Sequence, residues 1–81
     1  MKILITGICG FAGSTIANFF LRYLSNLEVI GIDNFSRKGS ELNTSQLSNL
    51  GVNLIRGDIR SQSDVDALPK VDWVIDCAAN P

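Results

Sequence analysis

Gly7, Gly10 and Gly13, set three apart in Gly7-Ile8-Cys9-Gly10-Phe11-Ala12-Gly13, restrict what this chain can fold into more than any other feature. The run ahead of them, Lys2–Thr6, is apolar and partly β-branched, with the length of a buried parallel strand. The segment behind them has helical periodicity. Ile16, Phe19, Phe20, Tyr23, Leu24 and Leu27 recur at i, i+3, i+4, i+7, i+8 and i+11, with Asn18, Arg22 and Asn26 off that stripe, which predicts a helix over Ser14–Leu27. A glycine that ends a strand adopts positive φ and turns the chain tightly. A second, having no Cβ, lets an anion approach the backbone, and a third lets the helix pack closely on the strand. The helix N-terminus adds N–H groups and a partial positive charge. Such a turn suits a pyrophosphate; a glycine-rich turn with no ligand is the plain alternative.

The rest of the chain repeats the strand–helix alternation. Glu28–Asp33 reads as a second strand, and 34–40 as a polar loop containing Gly39. Glu41–Leu50 reads as a weaker helix with Leu42, Leu47 and Leu50 on its apolar face, ended by Gly51. Val52–Arg56 is the third strand. Ser61 and Asp64 have capping-box spacing ahead of a short helix that carries Val65 and Leu68 and stops at Pro69. Val71–Cys77 is the fourth strand, with Trp73 assigned to the core. The alternation predicts an α/β fold: a doubly wound parallel sheet with right-handed crossovers and spatial order 3-2-1-4. The fourth strand would be an exposed apolar edge if nothing followed it, so the sequence is expected to be part of a longer protein.

Composition narrows the function classes. Hydrophobic residues make up 46% of the 81 and charged residues 19%, which fits one small globular domain or a piece of a larger one. Seven basic residues against eight acidic leave no stripe for nucleic acid phosphates. The apolar run Ile3–Ile5 is far shorter than the roughly 7–15 residues of a signal-peptide core, and nothing approaches the roughly 20 of a membrane-spanning helix. Cys9 and Cys77 have no metal-ligand spacing, histidine is absent, and both cysteines read as small core-like residues. A cytoplasmic protein that binds no metal, nucleic acid or membrane is expected.

Further candidate positions lie where strands end. Asp33, twenty residues past Gly13, is placed to accept hydrogen bonds from both ribose hydroxyls of NAD and to repel the 2′-phosphate of NADP. A turn or capping aspartate is the alternative. Arg37 and Lys38 follow it, either tolerating a phosphate or simply solvated. Asp58-Ile59 offers an acceptor and an apolar side chain to an adenine, or is an ordinary loop pair. Cys77-Ala78-Ala79 lets a cofactor lie against the backbone, or is plain close packing. Asp76, a carboxylate late in an apolar strand, has no role that the sequence assigns.

Taken together, Ile5–Gly13, Asp33-Asn34, Gly57-Asp58-Ile59-Arg60 and Ala78-Ala79 resemble the extended short-chain dehydrogenase/reductase family, the NAD-dependent epimerases and dehydratases. The resemblance spans the chain and is nearest to the nucleotide-sugar epimerases, on Asp33–Gly39 and on Leu50-Gly51 ahead of Gly57–Arg60. Asp76 departs from it, standing where many relatives carry histidine. The resemblance implies a Rossmann-type fold, of which this is the N-terminal β-α-β-α-β-α-β portion, and NAD as cofactor. Its binding residues would be Gly7, Gly10, Phe11, Ala12, Gly13, Asp33, Asn34, Ser36, Arg37, Asp58, Ile59, Ala78 and Ala79. It also implies a nucleotide-sugar substrate and transient hydride transfer, and a homo-oligomer is expected of the intact protein. The family's general base is a tyrosine in Tyr-x-x-x-Lys. Here the one tyrosine, Tyr23, is followed four residues on by Leu27, so no catalytic residue is assigned. Another dehydratase or reductase of the family, or a non-catalytic NAD(P) sensor, remains open on the sequence.

Overall fold

The computed structural model describes residues 1–35 and 40–78, apart from the side chains of residues 40 and 41. Among the described residues seven elements follow one another: β1 (Lys2–Thr6), α1 (Phe11–Tyr23), β2 (Glu28–Asp33), α2 (Ser40–Asn49), β3 (Asn53–Arg56), α3 (Gln62–Asp66) and β4 (Trp73–Asp76). All pairings are parallel and the strand order is β3-β2-β1-β4, as the crossover rule predicts. Chain direction reverses its lateral course after β3, so the C-terminal ends of β1 and β4 flank a topological switch point.

Side-chain alternation divides the core into two faces. Ile3, Ile5 and Val29 point to one, where they meet Ala17 of α1 and Leu47 of α2. Leu4, Ile30 and Ile32 point to the other, where Leu68 and Val71 cover them. Ile8, fully buried, fills the space above Gly31; a Cβ at Gly31 would collide with the Ile8 side chain. This mid-strand glycine is where the turn after β1 folds down onto β2.

Several expectations need correction. α1 begins three residues before Ser14 and ends at Tyr23, where Leu24 becomes extended (φ −117°, ψ 133°); Asn26 beyond it adopts positive φ (58°). Its stripe is correspondingly rotated. Gly13 and Ala17 are the buried positions, Ile16 and Phe20 pack at the margin, and Phe19, Tyr23 and Leu24 are exposed. Small residues face the sheet because α1 lies close to it. In α2 only Leu47 enters the core, while Leu42 and Leu50 are exposed; Gly51 does end the segment with φ of 92°. Trp73, assigned to the core, is 63% exposed, since no described element covers that part of β4. The capping box at α3 is half made: Asp64 N–H donates to Ser61 Oγ at 3.4 Å, whereas the Asp64 carboxylate accepts from the Asp58 N–H at 2.9 Å.

Candidate functional site

Parallel strands bring four loops to one edge of the sheet. Gly7 leaves β1 with φ of 62°, and its N–H donates to Ile32 O at 2.9 Å. A Cβ at Gly7 would lie 2.8 Å from Ala78 Cα, so the end of β4 is pressed against the turn. A Cβ at Gly13 would lie 2.6 Å from the Gly7 carbonyl oxygen and 2.7 Å from Ile8 Cα. Gly13 therefore sets the approach of α1 to the turn, the role its spacing predicts. Gly10 is the N-cap of α1, in ordinary extended conformation (φ −76°, ψ 173°), with no side-chain cap and no acidic residue in the first helical turn. Phe11 and Ala12, the first helical residues, are exposed. The cradle thus has a helix N-terminus, no competing carboxylate on it, and glycine where bulk would intrude, which fits an anionic cofactor.

Asp33 ties this turn to β2. Its Oδ2 accepts the Cys9 N–H at 2.9 Å and its Oδ1 accepts the Phe35 N–H at 2.8 Å. Each carboxylate oxygen retains a lone pair for a ligand hydroxyl. Asp33 is thus a capping residue, as the plain alternative held, and among the described residues each of its oxygens accepts one hydrogen bond. Asn34 is exposed beside it; Ser36, Arg37, Lys38 and Gly39 lie outside the described residues.

α2 holds the turn from the other side. Asn43 Nδ2 donates to Cys9 O at 2.7 Å, and Cys9 Sγ lies 3.5 Å from Thr44 Oγ1. Cys9 is buried, and burial raises its thiol pKa, reinforced by the Asp33 charge against the opposing Thr44 contact. It stays protonated at neutral pH, which suits packing rather than nucleophilic chemistry. Nothing in the helical pattern singled out Asn43. Gly31, by contrast, had a legible signal in being an isolated glycine inside a strand.

The remaining candidates occupy the neighbouring loops. Gly57 N–H donates to Asp33 O at 3.0 Å, which carries Asp58-Ile59 alongside. Asp58 is paired with Arg60 at 2.9 Å, and the guanidinium lowers its carboxyl pKa. Its backbone N–H is taken by Asp64, and Ile59 is exposed. Asp76 finds its role in a seam between β1 and β4. Thr6 Oγ1–H donates to Asp76 Oδ1 at 2.6 Å and accepts the Cys77 N–H at 3.1 Å; Ala78 N–H also reaches Asp76 Oδ1. These bonds lower the Asp76 pKa. Ala79 lies outside the described residues. Among those described, no three His, Cys, Asp or Glu side chains converge on a metal site, and no helix is long and apolar enough to cross a membrane.

Residues 3–81 match the NAD dependent epimerase/dehydratase family. The chain belongs to that family. Over 69 residues it is 48% identical to CDP-paratose 2-epimerase of Salmonella typhi, which spans 84% of this chain and 20% of that protein. Among solved structures it resembles UDP-glucuronic acid 4-epimerase of Bacillus cereus, determined with UDP-glucuronic acid and NAD, at 35% identity and a TM-score of 0.77. That match covers all of this chain and 27% of the other. dTDP-glucose 4,6-dehydratase of Bacillus anthracis, in complex with NAD, has a TM-score of 0.87 at 24% identity over 99% of this chain and 27% of that one, a likeness of fold. This epimerase/dehydratase-family chain therefore spans about a fifth to a quarter of the length of these relatives.

Proposed function

We propose that these residues form the NAD-binding part of a nucleotide-sugar epimerase similar to CDP-paratose 2-epimerase. The observation that carries the reading is the Asp33 carboxylate, fixed by the Cys9 N–H of the glycine turn at 2.9 Å with lone pairs to spare. One group would thereby join the proposed pyrophosphate cradle to the proposed ribose position. Gly7, Gly10 and Gly13 would admit the pyrophosphate to the first turn of α1, with Phe11 and Ala12 supplying exposed backbone there. Asp33 and Asn34 would bind ribose, joined by Ser36 and Arg37 from the following loop. Asp58 and Ile59 would meet adenine, and Ala78 and Ala79 would line the inner end.

The bound nicotinamide would take a hydride from a sugar carbon and return it, the difficult part of the reaction. This chain's own residues bind and orient it. Proton transfer from the sugar hydroxyl would fall to a Tyr-x-x-x-Lys pair, which these 81 residues do not contain. Calorimetric titration of the intact protein with NAD and NADP tests the binding reading. NAD should bind about 10–150-fold more tightly, roughly 1.5–3 kcal/mol, through ribose hydrogen bonds to Asp33 and its repulsion of the 2′-phosphate. Asp33→Asn should erase most of that difference. Equal dissociation constants in the unmutated protein would refute the assignment.

A further inference from the structure

Asp33 has a cationic neighbour that it does not pair with. Asp33 and Arg56 are register partners at the C-terminal ends of β2 and β3. Paired residues of parallel strands point to the same face, so a guanidinium starts beside the carboxylate on which the proposed cofactor preference rests. The described ion pairs are Lys2–Glu28 and Arg60–Asp58, and neither involves Asp33. The Arg56 guanidinium carbon instead lies 5.6 Å from the centroid of the Phe35 ring, within cation–π range. Phe35 is presented for this by an uncommon backbone. Its φ is 58°, a left-handed conformation unusual for a bulky residue, and its N–H is held by Asp33 Oδ1 at 2.8 Å. The carboxylate thus fixes the residue whose ring, rather than the carboxylate itself, holds the guanidinium.

We propose that Phe35 is a specificity-determining residue: by holding Arg56 on its ring, it keeps that guanidinium from pairing with Asp33 and so maintains discrimination against a 2′-phosphorylated dinucleotide. The inference rests on the assignment of Asp33 to the ribose. Released from the ring, Arg56 would pair with Asp33 or with an incoming phosphate, and either contact relieves the repulsion. A cation–π contact at a partly exposed site and a surface ion pair are similar in strength, so the balance is tunable rather than absolute.

Dissociation constants of the intact protein for NAD and NADP, measured calorimetrically across four variants, test this. Phe35→Leu keeps apolar bulk but removes the π face, and should shift the NADP/NAD ratio of dissociation constants about 3–10-fold toward NADP. Phe35→Tyr keeps the face and should hold the ratio. Arg56→Gln should leave it within about 2-fold, because the cation is already withdrawn. The double variant Phe35→Leu/Arg56→Gln should return to the original ratio, a reversal that general loosening of the loop would not produce. A Phe35→Leu ratio within 2-fold of the unmutated protein, or a double variant that stays shifted, would overturn the proposal. An unmutated protein that binds neither dinucleotide would instead overturn the function on which it rests.

Discussion

At the scale of single residues, the three glycines of the turn differ in what they tolerate. Gly7 needs its left-handed φ and has Ala78 backbone against it, and Gly13 has Gly7 and Ile8 backbone where a Cβ would go. Gly10 is extended, a conformation any residue adopts. Gly13→Ala should therefore lower stability by roughly 1–3 kcal/mol, because backbone cannot give way as a flexible side chain does. On the proposed cofactor placement, Gly10→Val should leave the fold intact and abolish NAD binding, since its side chain would occupy the position proposed for the pyrophosphate. Denaturant unfolding and NAD titration of both variants separate the roles. Unchanged affinity in Gly10→Val would make that glycine a cap alone.

At the scale of elements, the β1–β4 seam depends on a polar group inside an apolar strand. Thr6 is buried and relays between Asp76 and the Cys77 N–H. Thr6→Val keeps the shape but removes both contacts, and should destabilise by about 1–2 kcal/mol at pH 7. The pH dependence has a definite sign. The folded-state pKa of Asp76 is depressed, chiefly by the Thr6 hydroxyl, so its contribution is present above the ordinary aspartate pKa and is lost as pH falls through the folded value. The difference between Thr6→Val and the unmutated protein should be full above about pH 5 and shrink below about pH 4. A difference that stays constant from pH 7 to pH 3 in denaturant titrations would assign the loss to packing. The seam was not legible in the sequence: Asp76 looked out of place because its partner is seventy positions away in the chain.

At the scale of the molecule, β4 pairs only with β1 among the described residues, and Trp73 and Val74 are exposed on its two faces. The 81 residues expressed alone should associate with rising concentration and melt broadly, because a domain this size has a margin on the order of 5 kcal/mol. They should also show no turnover of a CDP-sugar, lacking the tyrosine–lysine pair. Sedimentation velocity with a thermal melt checks the first expectation; a sharply melting monomer would contradict it.

The sequence by itself determined the order of elements, the parallel topology and the position of the glycine turn. Each follows from local periodicity, glycine conformational freedom and the handedness of crossovers, all properties of short stretches of chain. It also located Asp33, because the end of a strand fixes where a side chain emerges. Only the tertiary structure decided which way α1 faces, with Ala17 rather than Phe19 and Tyr23 turned inward. A helix brought close to a sheet by Gly13 has room for small side chains at the contact, whatever the hydropathy of its longer ones. The same holds for Asn43 on Cys9, Asp76 on Thr6 and Arg56 on Phe35. These partners lie 21 to 70 positions apart, and no local pattern brings such residues together; packing of the sheet and its helices does.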